Sequence, residues 1–98
     1  MYRGEWKGSV MHGKGKLILS NGSVYEGDFQ NNTGHGTGTF WHANGEIYEG
    51  ELNDGDRHGK GKYTFTYGRV YVGEWKDDQY HGQGVDTYDN GETYDGQW

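Results

Sequence analysis

With 98 residues, 30% of them hydrophobic, the chain has too little apolar mass for an ordinary two-layer core, yet 16% aromatic content concentrates that mass in large rings. Twenty glycines and no cysteine argue against long helices, disulfides and thiolate metal sites, and cysteine-free composition fits a reducing compartment. No apolar run reaches membrane-spanning length, no signal peptide is expected ahead of the first repeat, and the net charge of -6 gives no reason to expect a nucleic-acid partner. Tyr2, Tyr25, Tyr48, Tyr71 and Tyr94 recur every 23 residues, dividing one array over residues 1–98 into repeats 2–24, 25–47, 48–70 and 71–93 and a partial unit 94–98. Such periodicity with so many rings argues against disorder.

The strand segments follow in chain order. Lys16 to Leu19 precedes a turn and Val24 to Phe29 follows it; Thr39 to His42 and Ile47 to Leu52, then Lys62 to Phe65 and Val70 to Trp75, repeat the arrangement. All are short and rich in β-branched and aromatic residues, so each pair reads as a hairpin. Loop length decides which side chains share a face, because a shift of one residue flips a whole strand. A two-residue Asn-Gly loop would place Tyr25, Gly27 and Phe29 with Lys14, Lys16 and Ile18. A three-residue loop, Ser20-Asn21-Gly22 with glycine in the left-handed region, places them with Gly13, Gly15, Leu17 and Leu19, giving one apolar face and one face of lysines and carboxylates. The same loop asks only a right-handed conformation of Tyr67, which stands where the other loops carry asparagine. Gly4, Gly27, Gly50, Gly73 and Gly96 leave slots for a neighbouring ring, and the pairs Gly13/Gly15, Gly36/Gly38, Gly59/Gly61 and Gly82/Gly84 let the sheet curve. The expected fold is all-β: a single-layer, twisted antiparallel sheet of about nine strands, roughly 40 Å long, with an aromatic-lined groove on one face.

The motifs YxGxW, HGxG and NGxxY at this period resemble the MORN (membrane occupation and recognition nexus) repeat over essentially the whole chain. Asp86 and His42, polar residues on the expected apolar face, and Tyr67 in its loop depart from the pattern. The resemblance implies a non-catalytic scaffold that holds partner proteins, cytoplasmic and often in cytoskeletal, ciliary or membrane-adjacent assemblies.

Other chemistry is weakly supported. His12, His35, His58 and His81 occupy equivalent points, but two strands separate successive members by about 9 to 10 Å, too far for one zinc ion with bonds of about 2 Å. Structural hydrogen bonding is expected instead, and no metal or cofactor. Gly13-Lys14-Gly15-Lys16 lacks the spacing and the following helix of a phosphate cradle. No serine sits in a nucleophile elbow and the carboxylates fall mainly at solvated positions, so no enzymatic activity is expected. The candidate partner-binding groove comprises Tyr25, Phe29, Phe40, Tyr48, Tyr63, Phe65, Tyr71, Trp75 and Tyr88, each either core or contact, for an extended or helical protein segment. A second candidate, for a phospholipid surface, is the cluster Arg3, Lys7, Lys14 and Lys16. A third reading places a small ligand between aromatic hairpins. The terminal strands Tyr2 to Trp6 and Tyr94 to Trp98 are open edges that invite self-association or further repeats. Charge is polar along the array: residues 2–24 carry four Lys or Arg against one carboxylate, residues 71–93 one against six.

Overall fold

The structure, a computed structural model, describes residues 1–97; the last residue of the expected terminal strand, Trp98, lies outside them. The described residues form one nine-stranded antiparallel sheet in which every strand pairs with its neighbours in sequence. Its strands are β1 (Tyr2–Lys7), β2 (Val10–Ile18), β3 (Val24–Gln30), β4 (Thr33–Trp41), β5 (Ile47–Asn53), β6 (Asp56–Thr64), β7 (Val70–Lys76), β8 (Gln79–Thr87) and β9 (Thr93–Gln97). The molecule measures 47 × 25 × 15 Å, the proportions of a single layer.

The three-residue loops are present. Amide-to-carbonyl bonds from Leu19 to Ser23, His42 to Glu46, Phe65 to Arg69 and Tyr88 to Glu92, at 2.7–2.8 Å, close each one. In three loops the asparagine side chain accepts the amide two residues on: Asn21 from Ser23, Asn44 from Glu46 and Asn90 from Glu92. Tyr67 cannot make that bond, and here the expectation fails. Its φ is +62°, in the left-handed region, followed by Gly68 at +86°. The loop length survived the substitution while the loop conformation did not, because the amide that shapes the other turns is missing.

The even strands extend well before the expected segments, to nine residues, because the opposite end of each hairpin closes in a two-residue turn. Asn31-Asn32, Asp54-Gly55 and Asp77-Asp78 all have both residues at positive φ, as a type I′ turn demands, and Asn, Asp and Gly tolerate that conformation best. Each turn also docks on the preceding repeat. Asn32 exchanges bonds with the Met11 backbone, Asp78 with that of Arg57, and the Gly55 amide donates to Gly34.

Tyrosine does cover glycine, but the ring comes from the same strand. Gly4, Gly27, Gly50 and Gly73 sit directly opposite Gly15, Gly38, Gly61 and Gly84. The tyrosine two residues earlier lies across the bare pair and its hydroxyl donates to the carbonyl one residue beyond the glycine: Tyr2 to Glu5, Tyr25 to Asp28, Tyr48 to Glu51 and Tyr71 to Glu74, at 2.6–2.8 Å. A β-carbon on Gly73 would stand 2.6 Å from the Tyr71 hydroxyl and 2.7 Å from the Gln83 carbonyl.

The first glycine of each HGxG has a different duty. Gly13, Gly36, Gly59 and Gly82 have φ of +60° to +96° at bulges where the even strand carries two extra residues. The carboxylates of Glu5, Asp28, Glu51 and Glu74 occupy the space a side chain there would need, and accept the following amide, from Lys14, Thr37, Lys60 and Gln83. These acids, expected to be merely solvated, latch the bulges.

The faces divide as expected only in part. One, the ring face, buries Tyr25, Phe29, Tyr48, Leu52, Tyr63, Tyr71 and Trp75. The other carries the lysines and most carboxylates, but also an unbroken cross-strand row of Ile18, Val24, Trp41, Ile47, Thr64, Val70 and Thr87. No helix of the described residues is long and apolar enough to cross a membrane.

Candidate functional site

The ring face is built by repetition. Three of the tyrosines fixed over glycine pairs meet the ring four positions on edge to face, Tyr2 with Trp6 at 4.9 Å, Tyr25 with Phe29 at 5.0 Å and Tyr71 with Trp75 at 5.1 Å, while Tyr48 has Leu52 at that position. The same edge contacts reach across repeats, Tyr2 to Phe29 at 5.1 Å and Tyr48 to Trp75 at 5.6 Å. Such geometry satisfies the ring quadrupoles and ties each hairpin pair to the next.

Of the nine candidate groove residues, the structure buries six: Tyr25, Phe29, Tyr48, Tyr63, Tyr71 and Trp75 are core. Phe40 and Phe65 are half-buried, and Tyr88 is exposed. Phe65 and Tyr88 belong to a row just ahead of the loops, Leu19, His42, Phe65 and Tyr88, and of these Phe65 packs against the core. Beside it lies a hollow of about 240 Å³ lined by Phe40, His42, Leu52, Arg57, Tyr63 and Asp78, with Tyr48 and Gly55 completing it.

Two arginines rim this face, a feature the sequence reading passed over. The Arg57 guanidinium lies 4.4 Å from the Trp75 ring centre and 5.0 Å from that of Tyr63, and it donates to the Asp78 carboxylate at 3.1 Å and carbonyl at 2.8 Å. Burial opposes ionisation of Asp78, but the Arg57 amide and guanidinium outweigh it and hold the carboxyl below the usual range. Arg69 stands between Phe65 at 4.4 Å and Tyr88 at 5.1 Å, and binds the fully buried Asp86 through two bonds of 3.0 and 2.6 Å. Asp86 is therefore a paired charge, not a packing defect. Its counterpart one repeat earlier is Tyr63, whose hydroxyl donates to Glu46 at 2.7 Å. Burial and this carboxylate push the Tyr63 hydroxyl up to about 12. His42, the other departure, packs on Phe40 at 4.5 Å and Tyr63 at 5.7 Å; burial, with Arg57 assisting against Glu46, lowers its pKa.

Of the basic cluster, Arg3, Lys14 and Lys16 share a shallow hollow on the charged face with Glu26, while Lys7 sits apart at the first two-residue turn. Lys14 is committed to Asp28 at 2.8 Å. Among the histidines, His35 accepts the Asp54 amide through Nδ1 at 3.3 Å, a structural bond of the kind expected.

The family model of the MORN repeat matches residues 2–24, 25–47, 48–66 and 71–93. The chain belongs to the MORN-repeat family. The third MORN match stops at residue 66, immediately before Tyr67, where the loop changes conformation. No curated protein gives a significant match to the chain. MORN repeats are generally non-catalytic binding modules, and in this array the surface available for binding is what remains once the tyrosine and tryptophan rings have built the core.

Proposed function

We propose that this MORN array is a scaffold that seats an extended or helical segment of a partner protein on its ring face, in a cytoplasmic assembly beside cytoskeleton or membrane. One observation carries the reading: with six candidate rings consumed in the core, Phe40 still lines a hollow edged by Arg57 and Asp78, and Phe65 and Tyr88 still reach the surface against Arg69. Aromatic and arginine anchors in well-packed surroundings are what interface hot spots use. The buried rings act as supports that fix the exposed ones.

The phospholipid reading draws less support, because Lys14 is tied to Asp28 and Glu26 shares the basic hollow. The ligand reading is also weaker: the arginines already occupy the ring faces that a quaternary ammonium would need. A pull-down from the source cell with the folded array is the test. Phe65→Ala should weaken capture by about 2 kcal/mol, and Lys62→Ala should change mainly its salt dependence. Normal capture by a folded Phe65→Ala array, with capture lost in Lys62→Ala, would move binding to the charged face. Co-sedimentation with anionic vesicles, matched by no protein capture, would favour phospholipid instead.

A further inference from the structure

Asparagine precedes glycine in three of the four three-residue loops, at Asn21-Gly22, Asn44-Gly45 and Asn90-Gly91, and all six residues are exposed. In each loop the asparagine Oδ1 accepts the amide two residues on, at 2.9–3.0 Å. The side chain is thereby folded back over the glycine peptide, and its carbonyl is polarised beside the glycine nitrogen. Glycine has no β-carbon to obstruct an approach by that nitrogen. Asn31, Asn32 and Asn53 are followed instead by Asn32, Thr33 and Asp54, whose side chains stand in the way.

The fold restrains this approach, and it does so unequally. The amides of Gly22, Gly45 and Gly91 donate to the carbonyls of Leu19, His42 and Tyr88 at 3.0–3.1 Å, so each loop must open before its nitrogen can give up the proton. The second loop carries further ties. Its Ala43 amide donates to Oγ of buried Ser23 at 3.0 Å, a bond that fixes the backbone inside the second loop but only a side chain beyond the first. At its far end the Glu46 carboxylate accepts the Tyr63 hydroxyl at 2.7 Å. That hydroxyl, the Thr66 amide and the Asn44 side chain hold the Glu46 carboxyl below its usual range against burial, so Asn44 is tied through its own amide group as well.

We propose that Asn21 and Asn90 are sites of spontaneous deamidation, from which the contacts of the second loop protect Asn44. The glycine nitrogen loses its proton to solvent base and bonds to Cγ; the side-chain nitrogen takes a proton from water and leaves as ammonia. A second water then opens the succinimide ring. Opening at one carbonyl gives aspartate, and opening at the other gives isoaspartate, in which the chain runs through the former side chain. Either product adds one negative charge. Aspartate keeps an oxygen for the Ser23 or Glu92 amide and preserves the turn. Isoaspartate lengthens the main chain by a methylene inside a loop whose length decides which side chains share a face, and so loosens the hairpin. This chemistry needs no partner and stands apart from the ring-face reading.

The test is incubation of the whole chain at neutral pH, followed over time by peptide mass spectrometry, with an isoaspartyl methyltransferase as reagent to separate the two products. Asn21 and Asn90 should convert several-fold faster than Asn44 in the folded chain. In denaturant, where the loop contacts are gone, all three should convert at like rates. Ser23→Ala and Tyr63→Phe, each checked for folding by circular dichroism, should speed conversion at Asn44. Three results would overturn the inference: Asn44 converting as fast as the others in the folded chain, Asn21 and Asn90 retained there while the denatured chain converts, or an Asn44 rate unmoved in both folded variants.

Discussion

Side chains in this array act in pairs one repeat apart, and the departures from the repeat make sense only as pairs. Seventeen residues separate Glu46 from Tyr63 and Arg69 from Asp86, both joined by hydrogen bonds. Neither Arg69 nor Asp86 is explicable alone, since a buried unpaired carboxylate is costly and is tolerated only with a partner. Arg69→Glu should therefore destabilise by about 2 to 3 kcal/mol, leaving Asp86 buried against like charge. Adding Asp86→Tyr recreates the Glu46–Tyr63 pair and should recover most of the loss. Denaturant midpoints of the two single variants and the double test this; additive losses would mean the sites are independent. Sequence showed Asp86 and His42 as anomalies on an apolar face, and that placement is correct. What it lacked was the 17-residue offset, which depends on how neighbouring hairpins lie and has no local signature.

For the strands and turns, the legible part was whatever sterics alone decide. The three-residue loops followed from face parity, and the glycine slots from the absence of any tolerable side chain. Gly73→Val should cost more than 1 kcal/mol despite valine's strand propensity, since its β-carbon would meet the Gly84 backbone and the Tyr71 hydroxyl. An unchanged thermal or denaturant midpoint would refute the ring-over-glycine packing. The two-residue turns, the bulges with their carboxylate latches and the conformation of Tyr67 were missed. The latches rest on bonds between side chains and backbone, Tyr67 takes its conformation for want of one, and the turns rest on the tolerance of Asn, Asp and Gly for positive φ. Periodic acids at Glu5, Asp28, Glu51 and Glu74, three residues after each tyrosine, were the available signal for the latches. The apolar row on the charged face was equally available in Ile18, Val24, Trp41 and Ile47, hidden because the faces were separated by their lysines and carboxylates.

Across the whole molecule, tyrosines rather than aliphatic side chains hold the layers of repeats together, and this gives the array an alkaline weakness. Burial pushes the hydroxyls of Tyr25, Tyr63 and Tyr80 up to about 12, from 10.0 when free, and raises Tyr48 further. An acid whose pKa is higher in the folded state favours folding fully below its unfolded pKa. Above pH 10 the unfolded chain loses these protons first, so stability should fall between pH 10 and about 12. Tyrosinate absorbance should then rise together with loss of the circular-dichroism signal; ionisation complete near pH 10 with the fold intact would contradict the buried-ring core. The division of the nine groove candidates, six inside and three reaching the surface, underlies the functional reading. Its most direct test is photo-cross-linking of the captured partner from probes placed singly at Phe40, Phe65 and Tyr88 on the ring face and at Lys60, Lys62 and Thr64 on the other. Cross-links confined to the first three are predicted; cross-links confined to the second three would contradict the assignment of partner binding to the ring face.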